Sequence, residues 1–307
     1  MKIVFFGSDD FAATHLEQLL LSKHTVVACV TQPDVRQGRG MKLTLPVIKQ
    51  LASAHGLECL QPENIKETSV FSQLKKFDAD VFVVVAYGKL LPKEVLNIPK
   101  LFCINVHGSL LPKYRGAAPI NWSILNGDSK TGVTIQKMVL ELDAGDVISQ
   151  AVIDITPDMT ADVLRPHMAQ VAAKLLVQTL DNIEEGKHRL TPQNTSEVTY
   201  APKLTKEMGR IEWKDEAEVI YNQIRGLKPW PGTYTEFKGH MLKILDAAIV
   251  DGKGVPGTVL DVSNKGFTIA CGRGALLVSQ VHLAGGKAMP AASFVAGHRL
   301  TAGSIFA

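Results

Sequence analysis

Cysteine is scarce: there are four among 307 residues, at positions 29, 59, 103 and 271, and no two form a Cys-x-x-Cys pair. With no paired-cysteine motif and apolar neighbours, these thiols are expected to be reduced, buried and structural. No apolar run reaches the length of a membrane span, and Met1–Gly7 is too short for a secretory signal and has no cleavage site. A cytoplasmic location without a membrane partner is therefore expected. The repeated glycines of a dinucleotide-binding loop are absent as well, because Gly7 is followed by Ser8-Asp9-Asp10-Phe11-Ala12. That argues against a dinucleotide cofactor. Internal repeats and low-complexity tracts are also missing.

The chain does hold enough apolar residues, 46% of the total, for two domains with cores of their own. Its net charge of +3 is unevenly spread: residues 1–200 carry 20 basic and 21 acidic side chains, and the remainder 13 and 9. A basic carboxyl end is either an ordinary solvated surface or one that guides a polyanion such as RNA.

The spacing predicts alternating strands and helices through the first part. An apolar strand at Lys2–Phe6 leads through Asp9 and Asp10, which suit a helix cap, to a helix carrying Phe11, Leu16, Leu19 and Leu20, and then to a strand at Thr25–Thr31. This β-α-β opening predicts a Rossmann-like, doubly wound and mainly parallel sheet. The run Asp80–Ala86 reads as its central strand, ending in Tyr87-Gly88. A long helix over Thr160–Glu185 closes a first domain at residues 1–188, residues 189–206 read as a linker, and five short β-runs in 207–307 predict a small OB-like β-barrel. The polar stretch 32–42, with Arg36, Arg39 and Lys42 around two glycines, reads as an exposed loop suited to phosphate contact or to no contact at all.

The stretch Cys103–Gly116 organises the rest. Asn105 and His107 stand two residues apart on one face of a strand, at the carboxyl end where α/β sheets place ligands. The pair either tethers a loop or performs chemistry, and spacing alone does not decide. Asp143, before Ala144-Gly145, either closes a turn or folds back to orient the His107 imidazole. Neither Ser109 nor any cysteine has an evident activating base nearby in sequence, which disfavours a covalent nucleophile.

With Asn105-Val-His107-Gly-Ser-Leu-Leu-Pro112, Tyr114-Arg-Gly-Ala-Ala-Pro119 and Leu142-Asp143-Ala-Gly145-Asp146 in view, the chain resembles the methionyl-tRNA formyltransferases. The likeness extends to Ala86-Tyr87-Gly88, Gly132-Val-Thr134, Gly38-Arg39-Gly40, Lys228-Pro-Trp230-Pro231 and Gly286-Lys287-Ala-Met289. It implies a formyltransferase-type first domain, transfer of formyl from 10-formyltetrahydrofolate to methionyl initiator tRNA, a monomer, and no metal. It further implies Asn105, His107 and Asp143 as catalytic residues. Ser109, Leu110, Leu111, Pro112, Tyr87 and Gly88 would hold the folate, with the backbone around Leu140–Asp143. Arg36, Arg39, Lys42, Arg225 and Lys228 would meet tRNA. A sugar-nucleotide formyltransferase, a folate-dependent hydrolase and a non-catalytic RNA-binding protein are the rival expectations.

Overall fold

Five consecutive residues, Val81 to Val85, are all buried, as a strand covered on both faces must be. The computed structural model describes residues 1–37 and 42–306. This buried strand is β6 (Val81–Val85), and around it lie β1 (Lys2–Gly7), β2 (Thr25–Val30), β5 (Glu58–Leu60), β7 (Phe102–His107), β9 (Lys130–Lys137) and β10 (Val147–Asp154). The sheet runs β10-β9-β7-β6-β1-β2-β5. Pairing is parallel from β5 to β7 and antiparallel at β7–β9 and β9–β10. The mainly parallel sheet expected from the sequence is thus present, with two strands added at one side by antiparallel pairing, of which β9 alone runs against the rest.

Helices α1 (Asp10–Leu20), α2 (Val47–Ala54), α3 (Thr68–Lys76), α4 (Lys93–Leu96), α5 (Pro119–Leu125) and α6 (Ala161–Glu184) alternate with the strands. Asp9 caps α1 by accepting the amide of Ala12, as its position before the apolar periodicity suggests. One core layer joins Val4, Phe6, Val30, Leu74, Phe82, Val84, Tyr87 and Cys103. The stretch read as a loop at 32–42 is partly paired: β3 (Val35–Gln37) and β4 (Lys42–Thr44) form an antiparallel ladder. Arg36 and Lys42 lie on these strands, and Arg39 falls outside the described residues.

By the clustering of its contacts the chain divides into two compact units, residues 1–119, 130–154 and 165–201 against residues 120–129, 155–164 and 202–307. Segment 189–201 belongs to the first unit, where β11 (Tyr200–Ala201) pairs in parallel with β8 (Arg115–Gly116).

In the second unit, α7 (Ala217–Gly226) precedes β12 (Thr233–Phe237), β13 (His240–Val250), β14 (Val259–Ser263), β15 (Gly266–Ala270), β16 (Ala275–Leu283), β17 (Ala288–Pro290) and α8 (Ala291–His298). The strands form an antiparallel sheet ordered β12-β13-β16-β15-β14, with β17 on β16. It encloses Trp213, Ile220, Phe237, Phe267, Phe294 and Phe306, the rings of Phe267 and Phe306 stacked at 5.4 Å. The expected barrel is OB-like but open. Its β14 edge bonds instead to the end of the chain, through Val259 N–H to Ser304 O at 2.8 Å and Gly303 N–H to Val259 O at 2.8 Å. Its β12 edge takes Ile211, whose N–H donates to Tyr234 O at 2.8 Å. Coil segments occupy the edges that closure would otherwise have joined.

Among the described residues, no helix is long and apolar enough to cross a membrane.

Candidate active site

Strand β7 delivers Asn105 and His107 to one face at the carboxyl end of the sheet. The antiparallel return of β9 places Gln136 opposite Asn105 and Thr134 opposite His107. In an antiparallel pair, opposed residues carry their side chains to the same face, so four polar groups share one face of the sheet. Thr134 and Gln136 are both buried.

Asp143 arrives from the turn after β9, with its backbone in the left-handed region at φ 52°. Its Oδ2 accepts the Gly116 N–H at 2.8 Å. Around Oδ1 stand three nitrogens: Gln136 Nε2 at 3.1 Å, Asn105 Nδ2 at 3.5 Å and His107 Nδ1 at 3.5 Å. The other imidazole nitrogen, Nε2, lies 2.9 Å from the Tyr114 carbonyl. A carbonyl only accepts, so Nε2 carries a hydrogen, and a proton on Nδ1 would face Asp143. The side chains of His107 and Asp143 are only 6% and 8% exposed, enough to strengthen polar contact between them. The structure therefore brings Asn105, His107 and Asp143 together.

The loop after β7 is pinned by Thr134. Its hydroxyl donates to Ser109 O at 2.7 Å and accepts from Leu111 N–H at 3.0 Å and Gln150 Nε2 at 2.9 Å. Ser109 itself is buried, and its hydroxyl donates to Lys113 O at 2.6 Å. That bond closes a turn and commits the serine hydrogen to a main-chain carbonyl. Burial pushes the Cys103 thiol well up and those of Cys29 and Cys271 to about 12 and about 11, so these thiols stay protonated and unreactive.

A pocket of about 360 Å³, its open mouth included, has Asn105, Gln136 and Asp143 in its wall together with Leu90, Leu91 and residues 138–145. The backbone around Leu140–Asp143 lines it, as the sequence suggested. Ser109–Pro112, Tyr87 and Gly88 are not among its lining residues. Tyr87 turns its ring into the core against Phe6, 5.5 Å between centroids, and burial pushes its hydroxyl up to about 12. Leu110 packs over Gly132, where an added Cβ would stand 2.5 Å from Leu110 Cδ2.

The cations expected to meet RNA separate. Arg225 is buried, with Nε donating to Asn222 Oδ1 at 2.9 Å and Nη1 to Met159 O at 3.2 Å, so it braces α7 instead of presenting a free charge. Lys228 is about a quarter exposed and lies 3.8 Å from Asp246.

Sequence reasoning passed over Gln136, Gln193 and the Tyr114 carbonyl. Gln136 had a signal, since it follows Thr134 at strand period in an apolar run beside β7. Gln193 and the carbonyl had none.

Comparison with known proteins fits this geometry. The Formyl transferase family matches residues 1–180, and the Formyl transferase, C-terminal domain family matches residues 203–299. A methionyl-tRNA formyltransferase of Caldanaerobacter subterraneus subsp. tengcongensis is 46% identical over 99% of this chain and 99% of its own length. The chain belongs to the methionyl-tRNA formyltransferase family. Solved structures share the fold: HypX of Aquifex aeolicus, at 19% identity and TM-score 0.66, covers 99% of this chain, which spans about half of HypX, 49%. An N-formyltransferase from Helicobacter canadensis, in complex with folinic acid and dTDP-3-aminofucose, has 18% identity and TM-score 0.67 over 92% of this chain and 100% of its own.

Proposed function

We propose that the chain transfers the formyl group of 10-formyltetrahydrofolate to the α-amino group of methionine esterified to initiator tRNA, as a cytoplasmic monomer. One observation carries this reading beyond the family: Asn105 and Asp143 stand in the wall of the pocket lined by Leu90, Leu91 and residues 138–145, and His107, which is not itself a lining residue, has Nδ1 3.5 Å from the same Asp143 oxygen.

The pocket suits a folate. Apolar side chains from Leu90 and Met138–Leu142 offer faces to a flat ring, and main-chain groups of the same segment offer hydrogen bonds to its edge. The bound folate supplies the formyl group. Attack by a neutral amine places negative charge on the formyl oxygen, and the site must meet that charge with aimed donors. Asn105 donates from its amide. His107, fixed through Nε2 to the Tyr114 carbonyl, presents Nδ1 on the same side, since both nitrogens stand 3.5 Å from one oxygen of Asp143. Those contacts are long enough to give way to a shorter bond with the formyl oxygen. Asp143 orients both side chains, and His107, once it carries a proton on Nδ1 as well as on Nε2, becomes the second donor and assists the proton that must reach the departing folate nitrogen. No enzyme-bound acyl group is required.

The tRNA would be attracted by its phosphates to cations of the 32–42 stretch and of the second unit, Lys228 among them, with affinity falling as salt rises.

Formyl transfer to initiator and elongator methionyl-tRNA, assayed side by side, tests the reading. Transfer to the initiator species, lost in Asn105→Ala and His107→Ala while tRNA binding persists, is the expected result. Release of formate with methionyl-tRNA unmodified, or near-normal turnover in either variant, would overturn it.

A further inference from the structure

Gln193 reaches the turn that carries Asp143 from fifty residues away in the chain. Its Nε2 donates to the carbonyls of Asp143 at 2.7 Å and Gly145 at 2.8 Å. Its Oε1 accepts from Nε and Nη2 of Arg115 at 3.1 and 2.9 Å. A guanidinium only donates and a carbonyl only accepts, so this amide has one permitted orientation. Arg115 is itself buried, and its Nη1 pairs with Glu141 of the same turn at 3.1 Å.

The gripped turn needs outside support. Asp143 holds a left-handed backbone that a non-glycine residue adopts at a cost. Gly145 passes so close to β9 that a Cβ there would meet the Lys137 carbonyl at 1.6 Å. Leu140 and Leu142 are exposed, so apolar packing does little to hold the turn.

The segment bearing Gln193 is anchored at both ends. Thr191 exchanges backbone hydrogen bonds with Val147, 2.8 and 2.9 Å. Thr199 accepts the N–H of Tyr114 on its hydroxyl and that of Arg115 on its carbonyl, both at 2.9 Å. The same strap thus holds Tyr114, whose carbonyl orients His107, and Asp143, which faces the other imidazole nitrogen.

We propose that Gln193 is a positioning residue for formyl transfer, its Arg115-aimed amide locking the Asp143 turn so that the carboxylate faces Asn105 and His107. This inference rests on the role given to Asp143 above. Nothing in the geometry places Gln193 on the reacting atoms, so it acts through Asp143.

Gln193→Leu removes the grip with little change in size, whereas Gln193→Glu keeps an acceptor for Arg115 and sets oxygen against the two carbonyls. Both should lower kcat about tenfold or more, with KM for either substrate within about threefold of the parent. In an Asp143→Asn background the same replacements should add less than about twofold, because both act on one device. A purely structural role would instead multiply the losses of the single variants, and that result overturns the proposal. So would kcat within about twofold of the parent in both Gln193 variants when Asp143→Asn is crippled. If Asp143→Asn alone turns over normally, the role of Asp143 falls and this inference falls with it. Comparing far-UV circular dichroism and the melting temperature of each variant separates misfolding from mispositioning.

Discussion

The Gly116 amide donates to Oδ2 of Asp143 at 2.8 Å, from a backbone at φ 125° that only glycine adopts comfortably. A Cβ there would also stand 2.7 Å from the Ala201 carbonyl oxygen. Gly116→Ala therefore disturbs the anchor of Asp143 and the β8–β11 pairing together. It should cost about 1–3 kcal/mol of stability and lower turnover by about tenfold or more. Calorimetry and a formyl-transfer assay on the same preparation check both, and a variant with parental stability and rate would show that the anchor is dispensable.

Arg225 sits in α7 with its side chain spent on Asn222 and Met159, and its guanidinium lies 6.0 Å from the Tyr221 ring centroid. Burial lowers its pKa, the mark of a cation held away from water. Arg225→Met is expected to remove about 1–3 kcal/mol of stability at low and high salt alike. Lys228→Ala, by contrast, should leave the melting temperature unchanged and weaken tRNA binding most at low salt. A melting curve for Arg225→Met that overlays the parent's, with weakened tRNA binding, would return Arg225 to the RNA-facing surface.

Acid sensitivity should trace in part to His15. Its Nδ1 hydrogen goes to the Phe11 carbonyl at 2.7 Å, its Nε2 is buried without a partner, and burial lowers its pKa from 6.5 to about 4. The folded state thus resists a proton that the unfolded chain accepts near its ordinary value. Stability contributed this way is intact above about pH 6.5, falls as pH drops toward about 4 and levels off below, a loss on the order of 3 kcal/mol. Urea titrations between neutral pH and pH 5 should show a shallower decline for His15→Leu than for the parent. His24, also lowered by burial, leaves a residual slope of the same sign. Equal declines in the two proteins would acquit His15.

Local pattern was sufficient for several features because each depends on neighbours in the chain. The two-residue spacing of Asn105 and His107 fixes a shared face wherever β7 lies. The run Val81–Val85 could be satisfied only by burial on both faces, and the alternation around it required a mainly parallel sheet. The short β-runs after residue 230 and the single helix before them were readable for the same reason.

What tertiary structure decided depends on non-local pairing. The antiparallel return of β9 put Gln136 beside Asn105, and no periodicity within β9 specifies which strand it will join. Asp143 carries an ordinary turn signal, and only the folded turn aims its carboxylate at Gly116, Asn105 and His107. Arg225 and Lys228 are three residues apart and look alike in sequence. The first lies on the covered face of α7 and the second beyond its end, so packing, which composition does not record, separates a brace from a partly exposed charge. Gln193 is the extreme case: a polar residue between Pro192 and Asn194 acquires its place only when Arg115 and the Asp143 turn close around it.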